Sequence, residues 1–461
     1  MAMPQFESNS ARSWLQPMPI AWLTVESAET GSVLESASSF YNWASDGGLT
    51  TPSAEATTTT TTLTTTTTTP TADSSESLAC SAPCAGQAKG HLQRSQRHAP
   101  SLALGLCTDC LVARSIRERG EAVIHTATWQ HRHRIQRALT GDPVEVVLPE
   151  DLRPAQGVSV QRLAAAPVAF SCKLLQELSV GDDRVAFIFS VVGIHVDGAL
   201  VVDGYIDSQA LQAIAACEPT GSLMIAAREE HVMPFPAEKD AAGCWIVAGS
   251  EPMIPRTGAH LREDLVYEPP RLPCLPHNPL KALVVPRPIG WISTRGEFGD
   301  NLSPYSFFGY LAPDVVFFGA GGVHVDGGEK DAVRDARSSG VFCVNMVPWK
   351  LRVAMNASAA EAPHGVDEFS LPTAAGHDSD DIMLEKASCE HIDAPRVGNS
   401  PMHLECKVLE IIALTEDQDV VVVGRIVHAA GSADGAIAAR GGYFNYFRMS
   451  EEHVFSSTNN S

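Results

Sequence analysis

Between residues 291 and 331 the sequence gathers side chains able to hold a flat, phosphorylated heterocycle. Trp291, Tyr305, Phe307 and Phe308 offer aromatic surface for a planar ring, while Ser293, Thr294, Asn301, Ser303 and Ser306 offer hydroxyls and an amide for its edge. A phosphate dianion makes a different demand, for positive charge and free N–H groups. The run GGEKDA at 327–332 meets it: Lys330 brings a full charge, Asp331 is placed to cap a helix, and the amides that open a helix attract anions. The same residues also describe a plainer object, a strand pair with aromatics inside and hydroxyls outside, followed by a surface turn that only caps its helix.

These positions require two paired strands and a helix start. The blocks PRPIGWIST (286–294) and NLSPYSFF (301–308) supply the strands, and residues 315–318, 342–346, 404–412 and 420–428 are further β-branched or aromatic runs bounded by Gly, Pro and Asp. Helices are expected at 332–338, opening after Asp331 and closing near Gly340, and at 350–358, with counterparts near 112–119 and 131–139. The chain reads as mainly β with a few helices.

The two strand blocks resemble the first hairpin of the flavin reductase-like, FMN-binding split-barrel family of the flavoredoxin type, and the resemblance extends over residues 278–450. It implies FMN as cofactor, held by Trp291, Ser293, Thr294, Asn301, Ser303, Tyr305, Ser306, Phe307, Lys330 and Asp331, with NADH or NADPH as a transient reductant on the exposed ring face. GVDEF (365–369), GRIVH (424–428) and RGGY (440–443) are similar to later family segments and would bring His428 and Tyr443 near the flavin as catalytic candidates, although flavin hydride transfer needs no protein acid or base. The family commonly follows its Lys-Asp pair with threonine, where this chain has Ala332.

The implied activity is that of an FMN-binding oxidoreductase of the flavin reductase type, passing hydride from NAD(P)H to flavin and electrons to a small-molecule or protein acceptor that the sequence does not name. A non-catalytic flavoprotein electron carrier, or a degenerate interaction module, is the alternative. GAGG at 319–322 lacks the last glycine and the flanks of a G-x-G-x-x-G fingerprint, so no Rossmann nicotinamide site is expected.

Composition narrows the classes further. With 461 residues there is chain for two or three domains, and a formal charge of −21 argues against a nucleic-acid surface. No run of eighteen apolar residues and no leader pattern is present, so the expected location is cytoplasmic, away from membranes. The 11 cysteines are too sparse for a disulfide scaffold. Cys80/Cys84 and Cys107/Cys110 have spacings that could hold zinc, yet one pair lies in a low-complexity run, and no metal site is expected.

Residues 43–98 collapse into Thr, Ser, Ala and Pro and cannot offset the entropy of ordering, which marks a disordered insertion. Around it runs an internal repeat. PMPIAW (17–22) answers PRPIGW (286–291), SASSFY (36–41) answers SPYSFF (303–308), PSLALG (100–105) answers PDVVFF (313–318), and PVAFSCKLL (167–175) answers PMHLECKVL (401–409). Gly120 and Trp129 likewise answer Gly340 and Trp349, and each copy has a late strand ending in a histidine, His195 or His428.

The expected architecture is therefore two tandem FMN-binding split β-barrels forming an intrachain pseudo-dimer: 1–217, a Pro-rich linker at 218–276 whose one apolar patch is CWIV (244–247), and 277–455. The chain would be a monomeric pseudo-dimer or a homodimer. In the first copy Met18, Val25 and Leu34 face Arg287, Thr294 and Asn301 of the second, and Cys110 and Leu111 stand where Lys330 and Asp331 do. One competent site, from Lys281 onward, is expected, with Trp22, Phe40 or His195 as possible closing residues from the decayed copy.

Overall fold

A computed structural model describes residues 18–27, 30–43, 100–135, 145–217, 222–225, 230–232, 236–239, 245–247, 258–269, 275, 279–371, 383–414, 419–431, 438–440, 445–448 and 454–455. The threonine-rich insertion, Cys80, Cys84, Cys244 and Tyr443 lie outside them.

In the first half, β1 (Met18–Glu26), β2 (Val33–Trp43), β3 (Ser101–Cys107), α1 (Leu111–Arg119), β4 (Glu121–Thr126), β5 (Val168–Ser179) and β6 (Arg184–Val196) follow in order. All pair antiparallel, and the pairings β2-β1-β4-β5-β6-β3-β2 close a six-stranded ring. Closure removes sheet edges and lets alternate side chains fill the interior.

The second half repeats this plan with β7 (Gly290–Gly296), β8 (Gly299–Tyr305), β9 (Phe308–Ala312), β10 (Val315–Ala320), α2 (Asp331–Ser339), β11 (Val341–Asn345), α3 (Arg352–Ala357), β12 (Met402–Ala413) and β13 (Val420–Gly431). Its sheet order is β8-β7-β11-β12-β13-β10-β9. β8 and β9 together take the place of β2.

The repeat extends to irregularities that chance would not duplicate. β5/β6 carries bulges at Ser171/Cys172 and Leu174/Gln176, and β12/β13 carries them at Glu405/Cys406 and Val408/Glu410, in the same places. Each first helix ends on a left-handed glycine, Gly120 (φ 68°) or Gly340 (φ 73°), whose carbonyl accepts from Leu174 N or Val408 N at 2.8 Å. Arg132 lies 4.7 Å over Trp129 and donates to its carbonyl at 3.0 Å; Arg352 does the same to Trp349 at 4.6 Å and 3.0 Å. The protein is a tandem duplication, mainly β.

Two details of the sequence alignment shift by one residue. The pairing register puts Leu104 against Phe187 and Phe318 against Val422, so Gly105 corresponds to Gly319 rather than to Phe318. Phe40 then corresponds to Phe308, and the second copy has one extra residue where β8 breaks from β9, at Ser306 and Phe307. The late histidines are likewise not equivalent: His428 faces Glu405, whereas His195 faces Ala169, two pairs further along the ladder.

The halves share a buried core. Leu104, Phe187 and Ile188 belong to the same apolar cluster as Leu311, Phe317 and Val422. Thr126 Oγ1 donates to Leu283 O at 2.8 Å and Arg425 to Val180 O at 3.4 Å across the two halves. The strands Ser222–Ile225 and Val454–Phe455 pair with each other and, through Ile214–Cys217, join β1, so the C-terminal tail returns to the first barrel. Among the described residues no helix is long and apolar enough to cross a membrane.

Candidate functional site

A cleft of about 240 Å³ opens beside β8 and the start of α2. Among the described residues, every one that lines it falls between Ile289 and Glu368, in the second half. Its volume is below the roughly 300–1,000 Å³ of a fully enclosing small-molecule site, which leaves room only for a ligand held partly at the surface.

The break between β8 and β9 forms one wall, with Asn301, Ser303, Pro304, Tyr305 and Ser306. Ile289 and Met355 give it an apolar patch, backed by the buried cluster of Trp291, Leu302, Leu351 and Phe369. Tyr305 packs its ring 5.0 Å from Phe318, and burial, reinforced by the carboxylates of Asp331 and Glu368, pushes its phenol well above the ordinary range.

The amide of Asn301 is oriented from behind. Its Nδ2 donates to Glu368 Oε1 at 3.3 Å, and Leu302 N donates to Glu368 Oε2 at 3.1 Å, which leaves Asn301 Oδ1 buried without a hydrogen-bond partner. Burial raises the Glu368 pKa from 4.5 to about 7, against the pull of backbone amides and with a push from Asp331 and Asp367.

Opposite stands the opening of α2. Lys330 is the N-cap residue, and no side chain caps the helix. Asp331 is therefore the first helical residue and not the expected N-cap; its carboxylate turns to His364 Nδ1 at 2.7 Å, to His324 at 3.6 Å and to Arg334 at 2.7 Å, whose guanidinium balances its charge. The preceding turn needs positive φ at Gly327 (92°) and Gly328 (79°), conformations natural to glycine. Lys330 Nζ lies 3.8 Å from Glu361, an exposed and weak tie. His324 stacks on His364 at 3.8 Å and His364 on Phe298 at 4.5 Å, with Arg334 over Phe298 at 4.4 Å. Burial lowers the His324 pKa, opposed by Asp331.

Of the residues named from sequence, Asn301, Ser303, Tyr305, Ser306, Lys330 and Asp331 line this cleft. Trp291, Ser293, Thr294 and Phe307 lie behind its walls. Trp291 is fully buried and donates to Ser358 Oγ at 2.9 Å; Ser293 Oγ donates to Pro395 O at 2.7 Å; Thr294 Oγ1 donates to Asp335 Oδ2 at 2.9 Å, tying β7 to α2. Phe307 sits in the main core beneath the Arg287 guanidinium, 5.9 Å from its ring. Ala332 is 1 % exposed and points into that core, so the threonine hydroxyl common in the family would not reach the cleft from there.

Of the two proposed catalytic residues, His428 does not line the cleft. His428 belongs to a separate group on β12 and β13, and Tyr443 is outside the described residues. Trp22 is spent within its own barrel, donating to Glu35 at 2.7 Å, and His195 bonds Asp264 at 2.9 Å. Phe40 has a described backbone only. Cys110 caps α1, accepting from Ala113 N at 3.4 Å.

Sequence reasoning missed Glu368, Glu361, Met355 and His324. Glu368 lay inside the GVDEF segment already singled out, but its inward direction follows from Asp367 capping a short 3₁₀ turn, Glu368–Ser370. His324 carried no sequence signal.

Residues 282–446 match the family model for the flavin reductase like domain. An uncharacterized protein of Deinococcus radiodurans is 34% identical over 155 residues, covering 32% of this chain and 63% of that protein; one of Aquifex aeolicus is 32% identical over 133 residues, covering 28% and 62%. The chain thus spans less than two thirds of either relative. Among solved structures, nitrilotriacetate monooxygenase component B from Bacillus cereus aligns with 24% identity over 37% of this chain and 88% of that one, with a TM-score of 0.32. The second half of the chain carries a flavin reductase like domain, and the first half repeats its strand order.

Proposed function

We propose that the second barrel binds FMN in this cleft and that the protein is an oxidoreductase of the flavin reductase type, reduced by NADH or NADPH and delivering electrons to an acceptor outside the chain. The observation that carries the reading is one cleft holding both an unpartnered buried acceptor, Asn301 Oδ1, and an uncapped, lysine-bearing helix start. The first suits an N–H on the edge of a heterocycle and the second suits a phosphate.

Bound FMN would supply a carrier able to take up hydride. The chain's own part is to bind and orient. Glu368 holds the Asn301 amide so that its oxygen faces the ligand, Ser303 and Ser306 offer hydroxyls, Ile289 and Met355 exclude water from one side, and Lys330 with the first amides of α2 faces the phosphate. The first copy, with Cys110 and Leu111 at the matching positions, lacks the cation, so one FMN per chain is expected.

Titration with FMN and with riboflavin tests this. Lys330→Ala should weaken FMN about 10- to 100-fold, the range of a charge-assisted hydrogen bond, and leave riboflavin unchanged. Equal losses for both would move the phosphate elsewhere, and two FMN per chain would restore the first copy as a site. Mixing the loaded protein with NADH or NADPH without oxygen should bleach it; binding without bleaching would make it a carrier rather than a reductase.

A further inference from the structure

We propose that His403, Glu405 and His428, joined by His391, form a site for a divalent first-row transition metal, zinc first among them, that clamps the 389–394 segment to the barrel wall. Met402, Leu404 and Cys406 of β12 face the main core, so His403 and Glu405 point to the other side. The bulge opposite Glu405/Cys406 brings His428 of β13 directly across from Glu405. One donor atom each from His403, Glu405 and His428 lies within 4.8 Å of the others, and the same holds for Glu390, His391 and His428.

This cluster is built, not incidental. The His403 side chain is 7 % exposed and Glu405 is fully buried, with His403 Nε2 3.4 Å from Glu405 Oε1 but not in hydrogen-bond geometry. His403 Nε2 and His428 Nε2 are both buried atoms without a hydrogen-bond partner, which is costly for a ring nitrogen unless something outside the chain satisfies it. Glu405 is fixed by Glu390 N at 2.8 Å and His391 N at 2.6 Å, the kind of outer support that orients a metal-binding carboxylate and still leaves lone pairs free.

Imidazole nitrogen and carboxylate oxygen suit zinc at about 2.0–2.2 Å in a tetrahedron, where donors stand roughly 3.4 Å apart. The His403–Glu405 pair already has that spacing. His391, half-exposed and with its ring 4.1 Å from that of His428, can rotate in as the fourth ligand. None of these residues lines the flavin cleft. The first copy has Ala169, Ser171 and Gly193 at the three core positions, so the stoichiometry is one per chain. This departs from the sequence-based expectation of no metal, because the ligands come from three segments whose meeting no spacing rule encodes.

The test uses full-length, tag-free protein stripped with chelator and titrated with Co²⁺ and Zn²⁺. One Co²⁺ per chain is expected, with the visible bands of a four-coordinate centre, displaced by Zn²⁺. His403→Ala and His428→Ala should each weaken binding by at least ~100-fold, the upper end of what losing a mere supporting partner costs. His391→Ala, a surface change that leaves the barrel folded, should weaken it measurably. His364→Ala, in the separate His324/Asp326/His364 group, should leave it unchanged. No bound metal, or binding lost in His364→Ala and kept in His428→Ala, would overturn the proposal.

Discussion

At the scale of single residues, the duplicated halves solve one bonding problem with two chemistries. Asn345 donates from Nδ2 to Trp291 O at 3.0 Å and accepts from Val397 N at 2.8 Å. At the matching place His125 contacts Trp22 O through Nδ1 at 2.9 Å and accepts from Leu163 N through Nε2 at 3.1 Å, which fixes a neutral ring protonated on Nδ1. Burial drives the His125 pKa from 6.5 to about 3. The folded ring stays neutral while the unfolded one takes a proton, so stability is full above pH 6.5 and is lost as pH falls toward 3. His125→Asn should keep the two bonds and remove this part of the acid sensitivity, whereas His125→Ala should cost about 2–5 kcal/mol. Urea unfolding between pH 4 and 8 reads both; an asparagine variant as damaged as the alanine one would refute the equivalence.

Glu368 gives the opposite slope. Its folded pKa is raised from 4.5 to about 7, so the folded carboxyl holds a proton that the unfolded chain has released. Stability is highest below pH 4.5 and declines by on the order of 3 kcal/mol as pH rises to 7. In Glu368→Gln that decline should vanish from the same unfolding series, and a retained slope would assign it to another group. The variant should also weaken FMN binding, because glutamine has one acceptor oxygen for the two donors, Asn301 Nδ2 and Leu302 N, that Glu368 serves.

At the scale of elements, each first helix needs a reversal that only a left-handed residue gives cheaply. Gly120 and Gly340 have open space where a Cβ would go, so Gly120→Ala and Gly340→Ala each should cost about 1 kcal/mol, from the backbone alone. Matching losses in thermal unfolding are expected, and a much larger loss at one would mean that the two turns are not equivalent. The helix boundaries were legible in the sequence to within a residue: 332–338 became Asp331–Ser339 and 112–119 became Leu111–Arg119. The 350–358 segment divides into a 3₁₀ turn, Trp349–Leu351, and Arg352–Ala357. Less visible was the break at Ser306. A strand that continues as β2 in one copy stops in the other for the sake of one extra residue, and that interruption forms a wall of the cleft.

At the scale of the whole molecule, the halves meet closely enough to bind one another's fate. A Cβ on Gly105 of β3 would stand 2.6 Å from the backbone oxygen of Leu311 in the other half, and a backbone atom cannot swing aside. Gly105→Ala should therefore destabilise the pair by about 1–3 kcal/mol, whereas Gly181→Ala, whose Cβ would meet only Arg184 Cβ at 3.8 Å, should be near neutral. Calorimetry would separate the outcomes: equal effects of the two substitutions would deny the close approach. With a common core, both halves should also melt in one transition.

Hydrophobic alternation, turn residues and repeated blocks determined, without any coordinates, that the chain is mainly β, duplicated, and carries in its second copy polar and cationic residues that the first copy replaces. These are properties of local pattern, and pattern survives in one dimension. Only the tertiary structure decided which of the named residues face the cleft. In a closed barrel, a hydroxyl such as Thr294 and an aromatic such as Trp291 are equally able to serve a ligand or a neighbouring strand, and the choice depends on helices and loops arriving from tens of residues away. Glu368 behind Asn301, His324 at the rim, and the histidines gathered around Glu405 all arise from such arrivals, because a folded chain brings together groups that its sequence holds apart.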